Sequence, residues 1–228
     1  MTDPPSSPFD LIGRLAIQEV RVSEDFAHVE VYTRGGLLTM LWHGDRDAAT
    51  VVVMAGGAMG GLLGPSDGAY HDLGVALHEG HGIGTIRVGY RQPNNLPECV
   101  LDMAAAIDLS SRAGGERFVT VGHSFGGAVA VGAGIALPTH VAGVVTLATQ
   151  SAGCEQAGLL YPRPLLLLHG DRDEILPVMC SEVVSELAGG GELVVIPGAG
   201  HLLNTAGANE IVRQKLLEWI PPVLAGSA

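Results

Sequence analysis

Three short segments of the chain carry residue types suited to nucleophilic catalysis. Ser124 lies in the sequence GHSFGG, a group of carboxylates lies in HGDRDEILP (residues 169–177), and His201 ends the loop PGAGH. A serine hydroxyl becomes a useful nucleophile when a histidine takes its proton and a carboxylate orients that histidine. The three segments therefore predict covalent catalysis by a serine, if the fold brings them together.

The sequence around Ser124 predicts a sharp turn between a strand and a helix. The apolar run Phe118–Val121 precedes it, and the small-residue segment Ala128–Ala130 follows. Where a strand turns at once into a helix the two pass close together, so the residues two positions away on either side must be small. Gly122 and Gly126 satisfy this condition. The Ser124 hydroxyl would then project from the turn, at the positive end of the helix dipole.

The carboxylates and the histidine occupy positions where partners of a serine are expected. The carboxylates follow the apolar run Leu165–Leu168, at the kind of strand end where ligand-binding groups gather in parallel sheets. The chain order is serine, acid, histidine, which is that of one common class of serine triads. Taken singly, the segments have simpler explanations, because the acids could form a solvated turn and His201 could be an ordinary loop histidine.

The elements that must position these residues alternate between strands and helices. Three β-rich segments come first, and continuous apolar runs, typical of strands covered on both faces, then alternate with segments of helical spacing. The predicted edge strands are Gln18–Ser23, Ala27–Arg34 and Leu37–His43; the predicted buried strands are Thr50–Met54, Ile83–Val88, Phe118–Val121, Val141–Leu147, Leu165–Leu168 and Leu193–Ile196; and the predicted helices are His71–His78, a segment around Leu101–Ser110, Phe125–Leu137, Val178–Leu187 and Asn209–Ile220. This pattern predicts an α/β fold: a mostly parallel central sheet with an antiparallel N-terminal edge and helices on both faces.

Length and composition narrow the function classes. The 228 residues predict a flexible N-terminal tail over 1–12, one domain over 13–222, with Pro221-Pro222 ending its last helix, and a C-terminal tail over 223–228. A net charge of −12 argues against nucleic-acid and anionic-membrane partners. Three widely spaced cysteines and a polar N-terminus without a secretory signal predict a cytoplasmic protein. The pattern leaves open whether the protein is a monomer or a homodimer.

The motifs GHSFGG, HGDRDEILP and GAGH resemble those of the α/β-hydrolase superfamily. The resemblance extends from about Thr50 to Ile220 and is strongest to small members without a cap domain, related to dienelactone hydrolases and short-chain esterases. It implies Ser124 as the nucleophile, Asp173 rather than Asp171 as the triad acid, and His201 as the base. It implies no cofactor and no metal.

An oxyanion hole in this superfamily needs two backbone N–H donors. The resemblance implies the N–H of Phe125, which follows the nucleophile, and a second donor from the glycine-rich loop after Thr50–Met54. Gly57 is the expected second donor and Ala58 the alternative, because many relatives have His-Gly where this chain has Ala55-Gly56. Dienelactone hydrolases use a cysteine nucleophile, so their substrate is not carried over.

The expected function is that of a serine hydrolase acting on small or short-chain carboxylic esters, with thioesters and lactones as further candidates. The short segment Ala148–Pro164, where relatives insert lid domains, leaves too little chain for a lid and indicates an open site. Two alternatives remain. The same triad could transfer an acyl group to an alcohol or thiol, or the fold could be a catalytically idle module that binds a small ligand or a protein.

Overall fold

A nine-stranded sheet forms the centre of the protein, and the computed structural model describes residues 7–205 and 207–226. The strands are β1 (Arg14–Ser23), β2 (Phe26–Thr33), β3 (Gly36–His43), β4 (Thr50–Ala55), β5 (Gly84–Gly89), β6 (Arg117–His123), β7 (Val141–Leu147), β8 (Leu165–Gly170) and β9 (Glu192–Ile196). Their order across the sheet is β1-β2-β3-β5-β4-β6-β7-β8-β9. β1, β2 and β3 pair antiparallel and β3 joins β5 antiparallel, whereas the strands from β5 to β9 are parallel. The predicted sheet with its antiparallel N-terminal edge is confirmed.

Helices cover both faces of the sheet. They are α1 (Pro8–Leu11), α2 (Ala69–His81), α3 (Leu96–Ala113), α4 (Phe125–Ala136), α5 (Met179–Leu187) and α6 (Ala208–Ala225), and a short 3₁₀ helix spans Ala157–Leu160. Alternate residues of β4 point into two separate apolar clusters, with Val53 packed among α3 and α4 and Met54 among α2 and α6. Burial on both faces explains why inner parallel strands such as β4, β7 and β8 are continuous apolar runs. Among the described residues, no helix is long and apolar enough to cross a membrane.

The start of the domain differs from the sequence prediction. Residues 1–6 of the predicted tail lie outside the described residues, but α1 and the residue after it pack against α3. Phe9 and Ile12 are buried, and the Phe9 N–H donates to the Asp108 carboxylate at 3.0 Å. The segment 8–12 therefore belongs to the folded domain.

The end of the domain also differs, because Pro221-Pro222 does not end the last helix. α6 continues through both prolines to Ala225, so residues 223–225 are helical and not a tail; residues 227–228 lie outside the described residues. Val223 and Leu224 are buried, and the Arg117 guanidinium donates to their carbonyl oxygens at 3.0 and 2.8 Å. The guanidinium thus satisfies two carbonyl groups in the last turn of α6, which have no N–H partner within the helix.

Candidate active site

Ser124 lies at the turn between β6 and α4, as the sequence predicts. Its backbone has φ 57° and ψ −121°, a conformation that non-glycine residues rarely adopt. A Cβ atom on Gly122 would lie 1.8 Å from the Gly126 carbonyl oxygen, and one on Gly126 would lie 2.3 Å from the Gly56 carbonyl oxygen. The close approach of strand, helix and neighbouring loop therefore requires glycine at both positions, and this prediction is confirmed.

We expect Gly122→Ala to lower the free energy of unfolding by about 3 kcal/mol or more, because the added methyl group meets backbone atoms and not a flexible side chain. Gly80→Ala in α2 is the matched control. Its added Cβ has no heavy atom within 4 Å, so we expect it to be neutral or stabilising by about 0.5–1 kcal/mol. Urea unfolding of the two variants checks the difference, and equal losses would contradict the steric explanation.

Asp173 contacts His201 directly. Its Oδ2 lies 2.8 Å from His201 Nδ1, while its Oδ1 accepts hydrogen bonds from the backbone N–H groups of Ile175 and Leu176, both at 2.8 Å. Burial opposes ionisation of this carboxyl, but the hydrogen bonds from Leu176, His201 and Ile175 outweigh it, and the pKa of Asp173 lies below its usual value. Asp171 instead accepts the Gly198 N–H at 2.6 Å. The geometry thus pairs His201 with Asp173, the acid that the motif resemblance implies.

Ser124 and His201 line one cavity at the C-terminal ends of the parallel strands. Its volume is about 470 Å³, and its walls come from the loop after β4, the turn at Ser124 and the loop that carries His201. Within residues 7–205 and 207–226, no hydrogen bond joins the Ser124 hydroxyl to the His201 imidazole. The structure therefore brings the three predicted residues to one site, with the Asp173–His201 pair formed and the Ser124–His201 pair unformed.

The two expected oxyanion donors lie beside Ser124. Phe125 is the first residue of α4, and a Cβ on Gly57 would lie 3.7 Å from the Ser124 Cβ. Gly57 also pairs with Gly60, whose N–H donates to the Gly57 carbonyl at 2.9 Å. This turn keeps the backbone of the loop against the nucleophile, but the choice between Gly57 and Ala58 as donor stays a prediction.

Two tyrosines that sequence reasoning did not identify hold the start of this loop. The Tyr70 hydroxyl donates to the Ala55 carbonyl at 2.8 Å, and the Tyr90 hydroxyl donates to the Gly56 carbonyl at 3.0 Å. Burial raises the pKa of both hydroxyls, so both remain protonated donors at neutral pH. Holding two successive carbonyl groups fixes two successive peptide planes. The tyrosines therefore set the direction in which the loop leaves β4.

His123, one residue before Ser124, is a further polar residue that sequence reasoning missed. It is buried, and its Nε2 lies 3.0 Å from the His201 carbonyl oxygen. Burial lowers the pKa of His123 to about 4. The ring is therefore neutral at pH 7, whereas a histidine in the unfolded chain has a pKa of about 6.5.

The low pKa of His123 predicts a pH-dependent loss of stability. Between pH 6.5 and 4 the unfolded state binds a proton that the folded state does not, so the free energy of unfolding falls as the pH falls, by about 2 kcal/mol at pH 4.5 from this group. His123→Gln removes the titrating group, and we expect it to lose less stability over this range than the wild type. Urea unfolding at pH 7 and pH 4.5 measures the loss in the free energy of unfolding for each protein. Equal losses in the wild type and in His123→Gln would contradict the prediction.

Arg91, near the same strand ends, is a structural residue. Its guanidinium pairs with Glu98 at 2.7 Å and with the buried Asp102, which also accepts the Arg91 backbone N–H at 2.8 Å. These contacts hold the connection between β5 and α3. Arg87 packs its guanidinium 5.4 Å from the centre of the Phe26 ring. Neither arginine lines the cavity at Ser124.

Comparison with known proteins gives matches to solved structures. No protein-family model and no curated protein sequence matches the chain. Est1E from Butyrivibrio proteoclasticus superposes with a TM-score of 0.73 at 16% identity over 87% of this chain and 99% of that one. Dienelactone hydrolase from Anabaena variabilis superposes with a TM-score of 0.73 at 20% identity, over 89% of this chain and 96% of that one. Monoacylglycerol lipase from Paleococcus ferrophilus superposes with a TM-score of 0.62 at 18% identity, over 82% of this chain and 99% of that one. With the sheet order and the serine turn, these similarities establish that the chain has the α/β-hydrolase fold.

Proposed function

We propose that this protein is a serine hydrolase that cleaves carboxylic esters through an acyl-enzyme on Ser124. The observation that carries the proposal is the Asp173–His201 hydrogen bond of 2.8 Å, at a cavity whose wall contains Ser124 in a strained backbone conformation. A buried acid that orients a histidine beside a serine at a cavity wall is the arrangement that activates a serine. That the structural neighbours include a dienelactone hydrolase and a monoacylglycerol lipase agrees with this reaction class.

In the proposed reaction, His201 removes the Ser124 proton as Oγ attacks the ester carbonyl. Asp173 keeps the His201 Nδ1 proton in place, so that Nε2 is the atom that accepts, and stabilises the imidazolium that forms. The backbone N–H groups of Phe125 and of Gly57 or Ala58 hold the developing oxyanion. His201 then protonates the leaving alcohol and afterwards activates the water that releases the acid.

The Ser124–His201 hydrogen bond, unformed in the free protein, belongs to the substrate complex in this proposal. Such bonds often shorten only when substrate occupies the site. Rotation about the Ser124 Cα–Cβ bond is a small motion, because side chains interconvert between staggered positions without moving the backbone. Because the backbone of the turn stays in place, the Ser124 hydroxyl remains in the cavity that His201 also lines.

The cavity favours neutral substrates with a short acyl chain. Its lining combines Gly56–Gly64, including Met59, Leu62 and Leu63, with Leu202 and the three polar residues His123, Ser124 and His201. Among the described residues, the lining thus offers apolar contact and no Lys or Arg side chain to pair with a substrate carboxylate. About 470 Å³ accommodates a small ligand, whereas most of a long chain would stay in water.

We expect kcat/KM for p-nitrophenyl acetate and butyrate to exceed that for the dodecanoate by about tenfold or more, because a chain longer than the cavity gains no further apolar contact there while ordering it during binding costs conformational entropy. A series from acetate to dodecanoate, below the micelle concentration of each ester, measures the trend. Equal rates across the series would contradict the short-chain assignment.

Labelling with a fluorophosphonate tests the proposed function without knowledge of the natural substrate. We expect one covalent adduct on the wild type by intact-mass analysis, mapped to Ser124 by peptide sequencing and absent from Ser124→Ala. Circular dichroism of both proteins controls for folding. A folded wild type that gains no adduct would contradict the proposal and favour a binding module on the same fold.

A further inference from the structure

His123 faces His201 and not only the interior of the sheet. Its Nε2 lies 3.0 Å from the His201 carbonyl oxygen, and the two ring centres are 4.9 Å apart. A carbonyl oxygen can only accept a hydrogen bond, so a neutral His123 carries its proton on Nε2 and leaves Nδ1 unprotonated. The last residue of β6 therefore donates a hydrogen bond to the loop that carries His201.

The backbone of His201 is held at both of its polar groups. Its N–H donates to Glu174 Oε2 at 3.2 Å, and its carbonyl accepts from His123. Its side chain is oriented separately by Asp173 at 2.8 Å. Glu174 and Asp173 both belong to the loop after β8, whereas His123 belongs to β6, the strand that leads directly to Ser124. The hydrogen bond from His123 therefore sets the position of the histidine loop relative to the serine.

The ring of His123 also adjoins the loop of the expected oxyanion donor. A Cβ on Gly57 would lie 3.8 Å from His123 Nδ1 and 3.7 Å from the Ser124 Cβ. The imidazole thus fills the space between the loop after β4 and the loop after β9. Its neutral state matters here, because a cationic ring 4.9 Å from His201 would oppose the imidazolium that forms during catalysis.

We propose that His123 is a positioning residue: its Nε2–H holds the His201 backbone where the His201 ring can reach the Ser124 hydroxyl. The inference rests on the proposed function, since it gives His123 a part in that reaction. Misplacement of a catalytic group by about 1 Å can cost about a hundredfold in rate, so one well-placed hydrogen bond to the loop has a measurable effect.

The test compares His123→Leu, which removes the donor, with His123→Gln, whose side-chain Nε2 can occupy the place of the imidazole Nε2. His81→Leu, at the exposed end of α2, is the control for loss of an imidazole elsewhere. We expect His123→Leu to lower kcat for p-nitrophenyl butyrate, and the rate of fluorophosphonate labelling of Ser124, by about tenfold or more with KM within about twofold. We expect His123→Gln to recover most of this loss and His81→Leu to match the wild type. If His123→Leu does not fold, His123→Asn replaces it, because the shorter amide does not reach the His201 carbonyl.

The outcomes separate this inference from the proposed function. If the wild type reacts and His123→Leu keeps kcat and the labelling rate within about twofold of it, the role of His123 is overturned while the proposed function stands. Equal losses in His123→Leu and His123→Gln would also overturn it, because the effect would then come from the ring and not from the donated hydrogen bond. A folded wild type that is inert toward the probe would contradict the proposed function, and the role of His123 in it.

Discussion

Ser124→Ala is expected to lower kcat for a short-chain ester by about 10⁴ to 10⁶, because no acyl-enzyme can form without the hydroxyl. The folded structure should persist, since Ser124 makes its structural contacts through the backbone: its N–H donates to the Leu147 carbonyl at 2.8 Å and its carbonyl accepts the Gly127 N–H at 2.9 Å. Alanine retains both. KM or the binding of a non-hydrolysable analogue should therefore change little while kcat collapses.

Adding His201→Ala to Ser124→Ala should cost almost nothing more. The two residues act on the same proton, so once the nucleophile is gone the base has no proton to accept, and losses within such a unit are not additive. Ser185→Ala on α5 is the control and should keep the wild-type rate. Steady-state kinetics on the single and double variants measure the coupling. A double variant much slower than either single variant would mean that Ser124 and His201 act independently.

The sheet could be predicted because its inner strands share one requirement, which is that both of their faces are buried. Runs such as Thr50–Met54 and Leu165–Leu168 are continuously apolar since both faces of each strand are buried, and β4 and β8 lie where those runs predict. The last helix shows the limit of local rules. Pro221-Pro222 has a strong local preference to end a helix, but burial of Val223 and Leu224 and the hydrogen bonds from Arg117 override it. Those contacts join residues more than a hundred positions apart, and no local pattern encodes them.

The sequence predicts the turn that carries the candidate nucleophile, but not the residues that hold the surrounding loops in place. Gly122 and Gly126 indicated the turn at Ser124, because their small size follows from a local steric demand. His123, Tyr70 and Tyr90 gave no comparable signal. Each acts through the direction of one hydrogen bond to a backbone carbonyl of another segment, and that direction exists only once the strands are assembled.

Asp173→Asn is expected to lower kcat by about 10⁴ at neutral pH, through the tautomer of His201 and not through loss of shape. Oδ1 of this residue accepts two backbone N–H groups, from Ile175 and Leu176, at 2.8 Å each. An asparagine would keep its oxygen on that side, because turning the amide over would set its NH₂ against both donors. The NH₂ would then face His201 Nδ1, which can meet a donor only as an acceptor. The His201 proton would move to Nε2, and Nε2 could no longer receive the Ser124 proton.

Asp171→Asn is the matched control, two residues away in the same loop. Its oxygen can still accept the Gly198 N–H, which Asp171 Oδ1 accepts at 2.6 Å, so we expect kcat within about threefold of the wild type. Kinetics on p-nitrophenyl butyrate, with urea unfolding to verify the folded state, compare the two variants. Similar losses of kcat in both variants would mean that the loop needs negative charge in general. An Asp173→Asn variant with more than a tenth of wild-type kcat would remove Asp173 from the proposed triad. A large loss confined to Asp173→Asn would instead tie the rate to the carboxylate that contacts the His201 imidazole, because the two substitutions remove the same charge and Asp173, unlike Asp171, pairs with His201 Nδ1.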